Sequence, residues 1–323
     1  MTPLIDRYGR PLTHMRISVT LRCNHRCIFC HNEGLPFRVD GNELSAQDWG
    51  FLASVATSLG IKYYKITGGE PLVRNDIVDI VRAIKESGGI VSIVTNGSLL
   101  AKYAGELADL VSHINVSLHS LNPTVFHRIT RGRLKPVLEG IEEALHYGIK
   151  LKIDYVVLAL NNNEYIDIIN YASNHGIDLN IIELIPLGMP LAEYQRLHAP
   201  MDPIEKYLEE IAVKKNRKTF QNRPTYTLPS GIEVTVIKGI CNPEMCLHCT
   251  RIRMSPDGKI KTCIYRNDNL LDAYPYIKSR DEKGLEQLFI KANSLREPFF
   301  KPEKTTEAIQ SVNDRYYIEK RSI

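Results

Sequence analysis

From Ile17 to about Ile185, short β-branched runs alternate with amphipathic helical stretches, which restricts the fold to repeated βα units around a parallel sheet. Six candidate strands stand at Ile17–Thr20, Tyr63–Thr67, Val91–Thr95, Ile114–Leu118, Lys152–Leu158 and Leu179–Ile185. Between the second and third, Ile77, Ile80, Val81 and Ile84 recur at the spacing of one helix face, and Gly148 and Gly176 follow later helical stretches where a C-terminal cap belongs. Six units in about 165 residues fall short of the roughly 250 of an eight-fold barrel, so the expected fold is α/β, a partial (β/α)6 TIM-type barrel. Asp202 as N-cap before Pro203, with Ile204, Tyr207, Leu208 and Ile211 as one apolar stripe, predicts a helix that closes this unit. The run Lys214-Lys215-Asn216-Arg217-Lys218, followed by Pro224 and Pro229, marks either the passage to a smaller second unit or a solvated loop. The first reading divides the chain into domains 1–215 and 216–323.

At 43% hydrophobic and 24% charged residues the chain is ordinary globular material, and no apolar run reaches the roughly 18 residues of a membrane span. Met1 to Arg16 carries charges and two prolines where a secretory signal has an apolar core, so a cytoplasmic protein is expected. A net charge of +4, from 41 basic and 37 acidic residues, is too mild to indicate nucleic-acid binding, although local basic clusters could hold a phosphorylated small molecule. Seven cysteines, an odd number, point in a cytosolic chain to metal or redox use rather than disulfides.

Cys23, Cys27 and Cys30 follow the first strand directly, with three and then two residues between them. Four-cysteine sites are usual for zinc and for iron–sulfur clusters, so a triplet suggests a cluster with one iron left open for a small molecule; a zinc site completed by His25 or His31 is the alternative. Cys246, Cys249 and Cys263 form a second group, with two and then thirteen intervening residues, and Cys241 lies just upstream. With Cys241 this is a four-thiolate zinc or structural cluster site; without it, a second open-iron cluster. Spacing leaves both open. Glu70, Asn96, Ser117 and Glu183 all fall at the C-terminal ends of predicted strands, where barrel enzymes place their chemistry, so one shared site is expected.

The Cys23-x-x-x-Cys27-x-x-Cys30 triplet resembles the signature of the radical S-adenosylmethionine (SAM) superfamily, and Thr67-Gly68-Gly69-Glu70-Pro71 resembles its glycine-rich turn after the second strand. Within that superfamily, the second triplet, the run Cys249-Thr250-Arg251-Ile252-Arg253-Met254-Ser255-Pro256-Asp257-Gly258-Lys259, the opening Asp6-Arg7-Tyr8-Gly9-Arg10-Pro11 and Arg16-Ile17-Ser18-Val19-Thr20 resemble the GTP 3′,8-cyclases of molybdenum cofactor biosynthesis. The likeness runs from about Asp6 to Lys301.

The resemblance implies a smaller C-terminal iron–sulfur domain closing the barrel mouth, two 4Fe-4S clusters and SAM. Cys23, Cys27 and Cys30 would hold the first cluster, with SAM chelating its fourth iron. Cys246, Cys249 and Cys263 would hold the second, whose open iron takes the guanine, leaving Cys241 a bystander. The implied reaction generates a 5′-deoxyadenosyl radical that takes the ribose 3′ hydrogen of GTP and ends in cyclisation onto guanine carbon 8. SAM contacts carried over are Phe29, Gly68, Gly69, Glu70, Ser117 and Ile185, the last standing where relatives have methionine. GTP contacts are Arg16, Lys65, Val94, Thr95, Lys152, Arg251 and Arg253, with the pair Arg251 and Arg253 assigned catalysis as well.

Other departures are Val94 for the first of two threonines, which leaves only its backbone to serve, Asn180 for a sixth-strand arginine, and an end at Lys320-Arg321-Ser322-Ile323 without a glycine pair. Implied partners are an electron donor of flavodoxin or ferredoxin type, the downstream cyclic pyranopterin monophosphate synthase and a second copy in a homodimer, with neither nucleic acid nor membrane. The alternative is a two-cluster paralogue acting on another nucleotide or a peptide; Arg251 and Arg253 favour a triphosphate. A non-catalytic iron–sulfur or zinc module leaves Gly68-Gly69-Glu70-Pro71 and the six βα units unexplained.

Overall fold

The structure, a computed structural model, describes residues 2–35 and 43–301; the chain end at Lys320–Ile323 lies outside them. Strands β1 (His14–Ser18), β2 (Tyr63–Thr67), β3 (Ile90–Thr95), β4 (His113–Ser117), β5 (Leu151–Val157) and β6 (Asp178–Glu183) pair in chain order, every pair parallel. The helices between them are α1 (Ala46–Ser58), α2 (Ile77–Glu86), α3 (Leu100–Leu107), α4 (Pro123–Thr130), α5 (Leu134–His146) and α6 (Tyr165–Asn174). α1 starts at a reciprocal cap between Ser45 and Asp48, and α2 buries Ile77, Ile80, Val81 and Ile84, the stripe expected of it.

All six expected strands are present, and β2 keeps its expected bounds. β1 begins three positions earlier than the apolar run, because half-buried His14 and Arg16 alternate with buried Met15 and Ile17. That alternation recurs in β5, where Leu151, Ile153, Tyr155 and Val157 enter the core while Lys152, Asp154 and Val156 stand on the other face. After helices α7 (Leu191–Leu197) and α8 (Asp202–Ile211) the chain adds β7 (Lys214–Arg217), β8 (Pro224–Thr227), β9 (Glu233–Ile237), β10 (Arg251–Met254), β11 (Lys259–Lys261) and β12 (Leu271–Asp272). Asp202 is the first residue of α8 and Met201 its N-cap, one position from the expected cap.

The sheet order is β12-β11-β10-β1-β2-β3-β4-β5-β6-β9-β8-β7. β9 pairs parallel to β6 and β10 parallel to β1, so the C-terminal part extends the sheet at both edges and gives eight consecutive parallel strands. The basic run Lys214–Arg217 is neither linker nor loop but the edge strand β7, with all four residues exposed. Its charge discourages edge-to-edge pairing with another sheet.

Parallel register puts residues on neighbouring strands onto one face. Arg253, Arg16 and Lys65 are register partners across β10, β1 and β2, and Arg251 pairs with His14 one step behind. Further along stand Asn115 with Lys152, then Asp154 with Asn180. The opposite face carries Met15, Ile17, Ile66 and Ile93, which join the main core beneath the helices.

Candidate active site

The cysteine loop leaves the C-terminal end of β1 and is gripped at both ends. The Gly69 N–H donates to the Thr20 carbonyl at 2.7 Å and the Glu70 N–H to that of Arg22 at 2.8 Å. A Cβ on Gly69 would stand 2.3 Å from the Arg22 oxygen, and one on Gly68 2.5 Å from that of Thr20, so this approach admits only glycine. Further on, the Arg26 and Ile28 N–H groups each donate at 2.9 Å to the carbonyls of Thr130 and Ile129 at the end of α4. Cys23 and Cys30 are exposed and Cys27 half-buried. Burial raises all three thiols, and the nearby charges reinforce it: Glu70 and the neighbouring thiols act on Cys23 and Cys27, and Glu33 acts on Cys30.

Glu70 is buried, and both of its carboxylate oxygens accept hydrogen bonds. It accepts from the Leu72 N–H at 3.0 Å, the Thr95 hydroxyl at 2.7 Å and the Asn96 N–H at 2.6 Å. Burial pushes its pKa up to about 7 against those donors. Thr95 therefore faces Glu70, on the side away from Val94, and leaves only its backbone for the polar face. Asn96 donates to Asn24 at 2.8 Å, within the cysteine loop. Phe29 packs edge-on to His119 with centroids 4.8 Å apart. The Val156 N–H donates to His119 Nδ1 at 3.2 Å, which puts the ring proton on Nε2, and burial holds the pKa near 3. Ser117 ends β4 in register with Asp154. Ile185 lies on the loop after β6 against Gly239, where a Cβ would stand 2.8 Å from its Cγ2.

Cys246, Cys249 and Cys263 line one cavity of about 60 Å³ together with Arg10, Arg251, Arg253 and Arg296. Cys241 is not among its lining residues; it lies at φ +45° where the charge of Glu183 acts on it. Arg10, anchored to Asp6 at 2.8 Å, donates to the Cys246 carbonyl at 2.8 Å, and Arg296 donates to that of Cys249 at 2.6 Å. Burial alone would raise the Cys249 thiol, but Arg251, Arg296 and Arg10 outweigh it and hold it below the ordinary value. Among the described residues, no three His, Cys, Asp or Glu side chains gather around one point as they would for a single metal ion.

Between the two cysteine sets runs the basic row. Arg16 forks onto Glu33 through Nε at 2.7 Å and Nη2 at 2.6 Å, and Arg253 reaches the same carboxylate at 2.7 Å. Burial opposes the charge on Glu33, but Arg16 and Arg253 overcome it and lower its pKa. Lys65 donates to Asn115 at 2.7 Å, and burial brings its pKa down to about 7. Arg251 lies over the Phe220 ring at 4.8 Å. Lys152, expected with these, shares their face but is ion-paired to Asp178 at 3.0 Å. The sequence reading missed Glu33, Phe220, Gln221 and Arg223; the only signal was their proximity to Cys30 or to the basic run, and no motif marks them.

The parallel sheet, the three-cysteine loop at the end of β1 and the glycine turn that grips it define a radical SAM enzyme. Residues 17–172 match the radical SAM superfamily. The fold is similar to that of SuiB from Streptococcus suis, solved with S-adenosylmethionine, at a TM-score of 0.65 and 16% identity over 88% of this chain and 69% of that one. Residues 177–302 match the Molybdenum Cofactor Synthesis C family. A probable GTP 3′,8-cyclase of Thermococcus kodakarensis is 41% identical, covering 92% of this chain and 100% of that protein; one of Metallosphaera sedula is 40% identical over 95% and 100%. The chain belongs to the GTP 3′,8-cyclase family. Among the described residues no helix is long and apolar enough to cross a membrane.

Proposed function

We propose that this enzyme converts GTP into (8S)-3′,8-cyclo-7,8-dihydroguanosine 5′-triphosphate, the first step of molybdenum cofactor biosynthesis. The observation that carries the reading is the row Arg253, Arg16 and Lys65, set in register between two three-cysteine sites. Cys23, Cys27 and Cys30 present three thiols on one braced loop with two of them exposed, a donor set that fits a 4Fe-4S cluster with an open iron. Cys246, Cys249 and Cys263 would hold a second, with Cys241 outside it. Held by Cys23, Cys27 and Cys30, the first cluster would supply the one-electron reduction of SAM that provides a radical able to abstract the ribose 3′ hydrogen.

The chain's own residues bind and orient. Arg16, Lys65, Arg251 and Arg253 take the triphosphate, since guanidinium forks match phosphate oxygens and half-buried charges are screened less than exposed ones. Arg251 and Arg253, beside Cys249, thereby fix the nucleoside between the two sites. Glu33 holds Arg16 and Arg253 until the phosphate arrives. Gly68 and Gly69 act through the cysteine loop, Glu70 through Thr95 and Asn96. Phe29, Ser117 and Ile185 line the SAM side, and the backbone of Val94 and Thr95 lies toward GTP. Residues 1–215 carry the radical chemistry and 216–323 the second cluster in this reading. An electron donor of flavodoxin or ferredoxin type, the downstream cyclic pyranopterin monophosphate synthase and a cytoplasmic homodimer belong to it as well.

The test is anaerobic incubation of the reconstituted protein with SAM, dithionite and GTP, followed by mass spectrometry. 5′-Deoxyadenosine together with a cyclised GTP product is the expected result. 5′-Deoxyadenosine without a GTP product would move the enzyme to another substrate, and neither product would remove the assignment.

A further inference from the structure

The strand hairpin that ends the sheet delivers a cation that none of the assignments above uses. Phe220, Gln221 and Asn222 form a short turn between β7 and β8 in which Gln221 has φ +59° and Asn222 φ +47°. Asparagine tolerates the left-handed region but glutamine does so less readily, so a conformation of this kind at Gln221 persists only where the surroundings enforce it. Here the Gln221 N–H donates to the His248 carbonyl at 3.0 Å, and its amide nitrogen stands 3.6 Å from Cys249 Sγ. The Phe220 ring stacks on His14 at 4.6 Å, and His14 on Tyr63 at the same distance. The turn is thereby fixed against the polar face of the sheet.

What it positions there is Arg223. Its guanidinium lies 4.8 Å from the Phe220 ring, and that of Arg251 lies 4.8 Å from the same ring. One Nη donates to Gln221 Oε1. The Nε is buried and has no partner. A buried donor on a charged group left without an acceptor is expensive, so an anionic oxygen brought to it by a ligand would be stabilising. The local charge points the same way: Arg16, Arg251, Arg253, Lys65 and Arg223 act on one another and on Glu33 and Asp154, five cations against two carboxylates. The register row from Asp154 continues through Asn180 and Thr235 to Thr225, all neutral, and Lys152 on the same face is ion-paired to Asp178.

We infer that Arg223 is a substrate-anchoring residue of the same anion pocket, held on Phe220 beside Arg251 so that its Nε–H takes a phosphate oxygen of the bound nucleoside triphosphate. The inference rests on the triphosphate reading of Arg16, Lys65, Arg251 and Arg253 and adds a fifth cation, brought from outside the six βα units.

The experiment measures binding of inorganic tripolyphosphate and of GTP to the full chain by titration calorimetry, for wild type, Arg223→Gln, Arg223→Lys and Arg16→Gln, with melting temperature as the folding check. Arg223→Gln is expected to weaken both ligands by about tenfold or more, the loss of a charged hydrogen bond. Arg223→Lys is expected to recover little, because lysine has neither a planar face for Phe220 nor an Nε–H. In turnover, Arg223→Gln is expected to raise the GTP KM by a similar factor and leave kcat within about twofold, a split that general loosening of the fold would not give. If Arg223→Gln fails to fold, Phe220→Leu keeps the arginine and removes its shelf, and a weakening of about threefold is expected. Wild-type tripolyphosphate affinity in folded Arg223→Gln, with Arg16→Gln weakened, overturns the inference and leaves the GTP reading standing. Unchanged affinity in both variants overturns the triphosphate reading as well.

Discussion

Each cysteine set presents three thiols, but the side-chain charges beside Cys27 and beside Cys249 are opposite in sign. Around Cys23, Cys27 and Cys30 the nearby charges are negative, from Glu70, Glu33 and the thiols themselves. Around Cys249 they are positive, from Arg251, Arg296 and Arg10, strongly enough to reverse the effect of burial, and Arg253 acts on Cys263 in the same sense. The first set is braced through backbone by Gly69, Glu70 and α4, the second through side chains of Arg10 and Arg296. Under the proposed function the difference teaches that the charge beside each thiol set matches what that set is to face. A sulfonium cation suits the first set and a polyphosphate the second.

If that division holds, the two sets fail in different ways. Cys27→Ser is expected to abolish release of 5′-deoxyadenosine from SAM. Cys249→Ser is expected to spare that release and block formation of the cyclised nucleotide. Both are read by mass spectrometry of one anaerobic reaction, and equal SAM cleavage by wild type and the Cys27 variant breaks the comparison.

The next effect sharpens it by pH. Lys65 is brought down to about 7 by burial, with Arg16, Arg251 and Arg223 adding to the shift and Asp154 opposing it. A phosphate binds the protonated amine, so above about pH 7 the free protein must take up a proton to bind. GTP affinity is expected to fall as pH rises from 7 to 9, by up to about tenfold per unit. Lys65→Met is expected to bind weakly at pH 6 and to lose most of that slope; calorimetry at three pH values decides it.

What was legible in the sequence shares this pattern of short range. The β-branched runs, the Cys23 triplet and the Gly68-Gly69 turn are each written within a dozen residues. β7 was not legible because a strand exposed on both faces has no apolar alternation to read. The placement of β9 and β10 at opposite edges of the sheet depends on pairings with β6 and β1 across long stretches of chain. Glu33 escaped notice for the same reason, since the arginines that give it meaning lie 17 and 220 positions away.

Glu33 is also the contact at which the two surroundings meet, and its removal is expected to act in two directions. Glu33→Gln takes a negative charge from between Arg16 and Arg253, so tripolyphosphate is expected to bind about three- to tenfold more tightly. The same change is expected to lower stability at neutral pH. The native carboxylate is held below its ordinary 4.5, so its contribution is present above that value and lost as pH falls through the native pKa. The gap in melting temperature between wild type and variant is therefore expected to narrow steadily as pH falls below about 4.5, without closing before the acid range in which the native carboxylate itself protonates. Parallel melting curves across that window would show that Glu33 carries no charge-linked role.

The smallest effect belongs to Cys241, and its smallness is the point. The residue stands twenty-two positions before Cys263 and five before Cys246, close enough in sequence to complete a four-thiolate site. Cys241 packs against the cluster of Cys246 and Phe300, but it does not line the cavity that gathers Cys246, Cys249 and Cys263 with the arginines, and the charge of Glu183 acts on it. Cys241→Ser is expected to leave iron content, SAM cleavage and GTP cyclisation within about 20% of wild type, because a serine hydroxyl retains the size of the thiol at a partly exposed position. Loss of about half the iron on that change would make the second site a closed four-thiolate cluster. It would then have no open iron to face a substrate, and the arginines around Cys249 would serve the cluster's own charge instead of a nucleotide's.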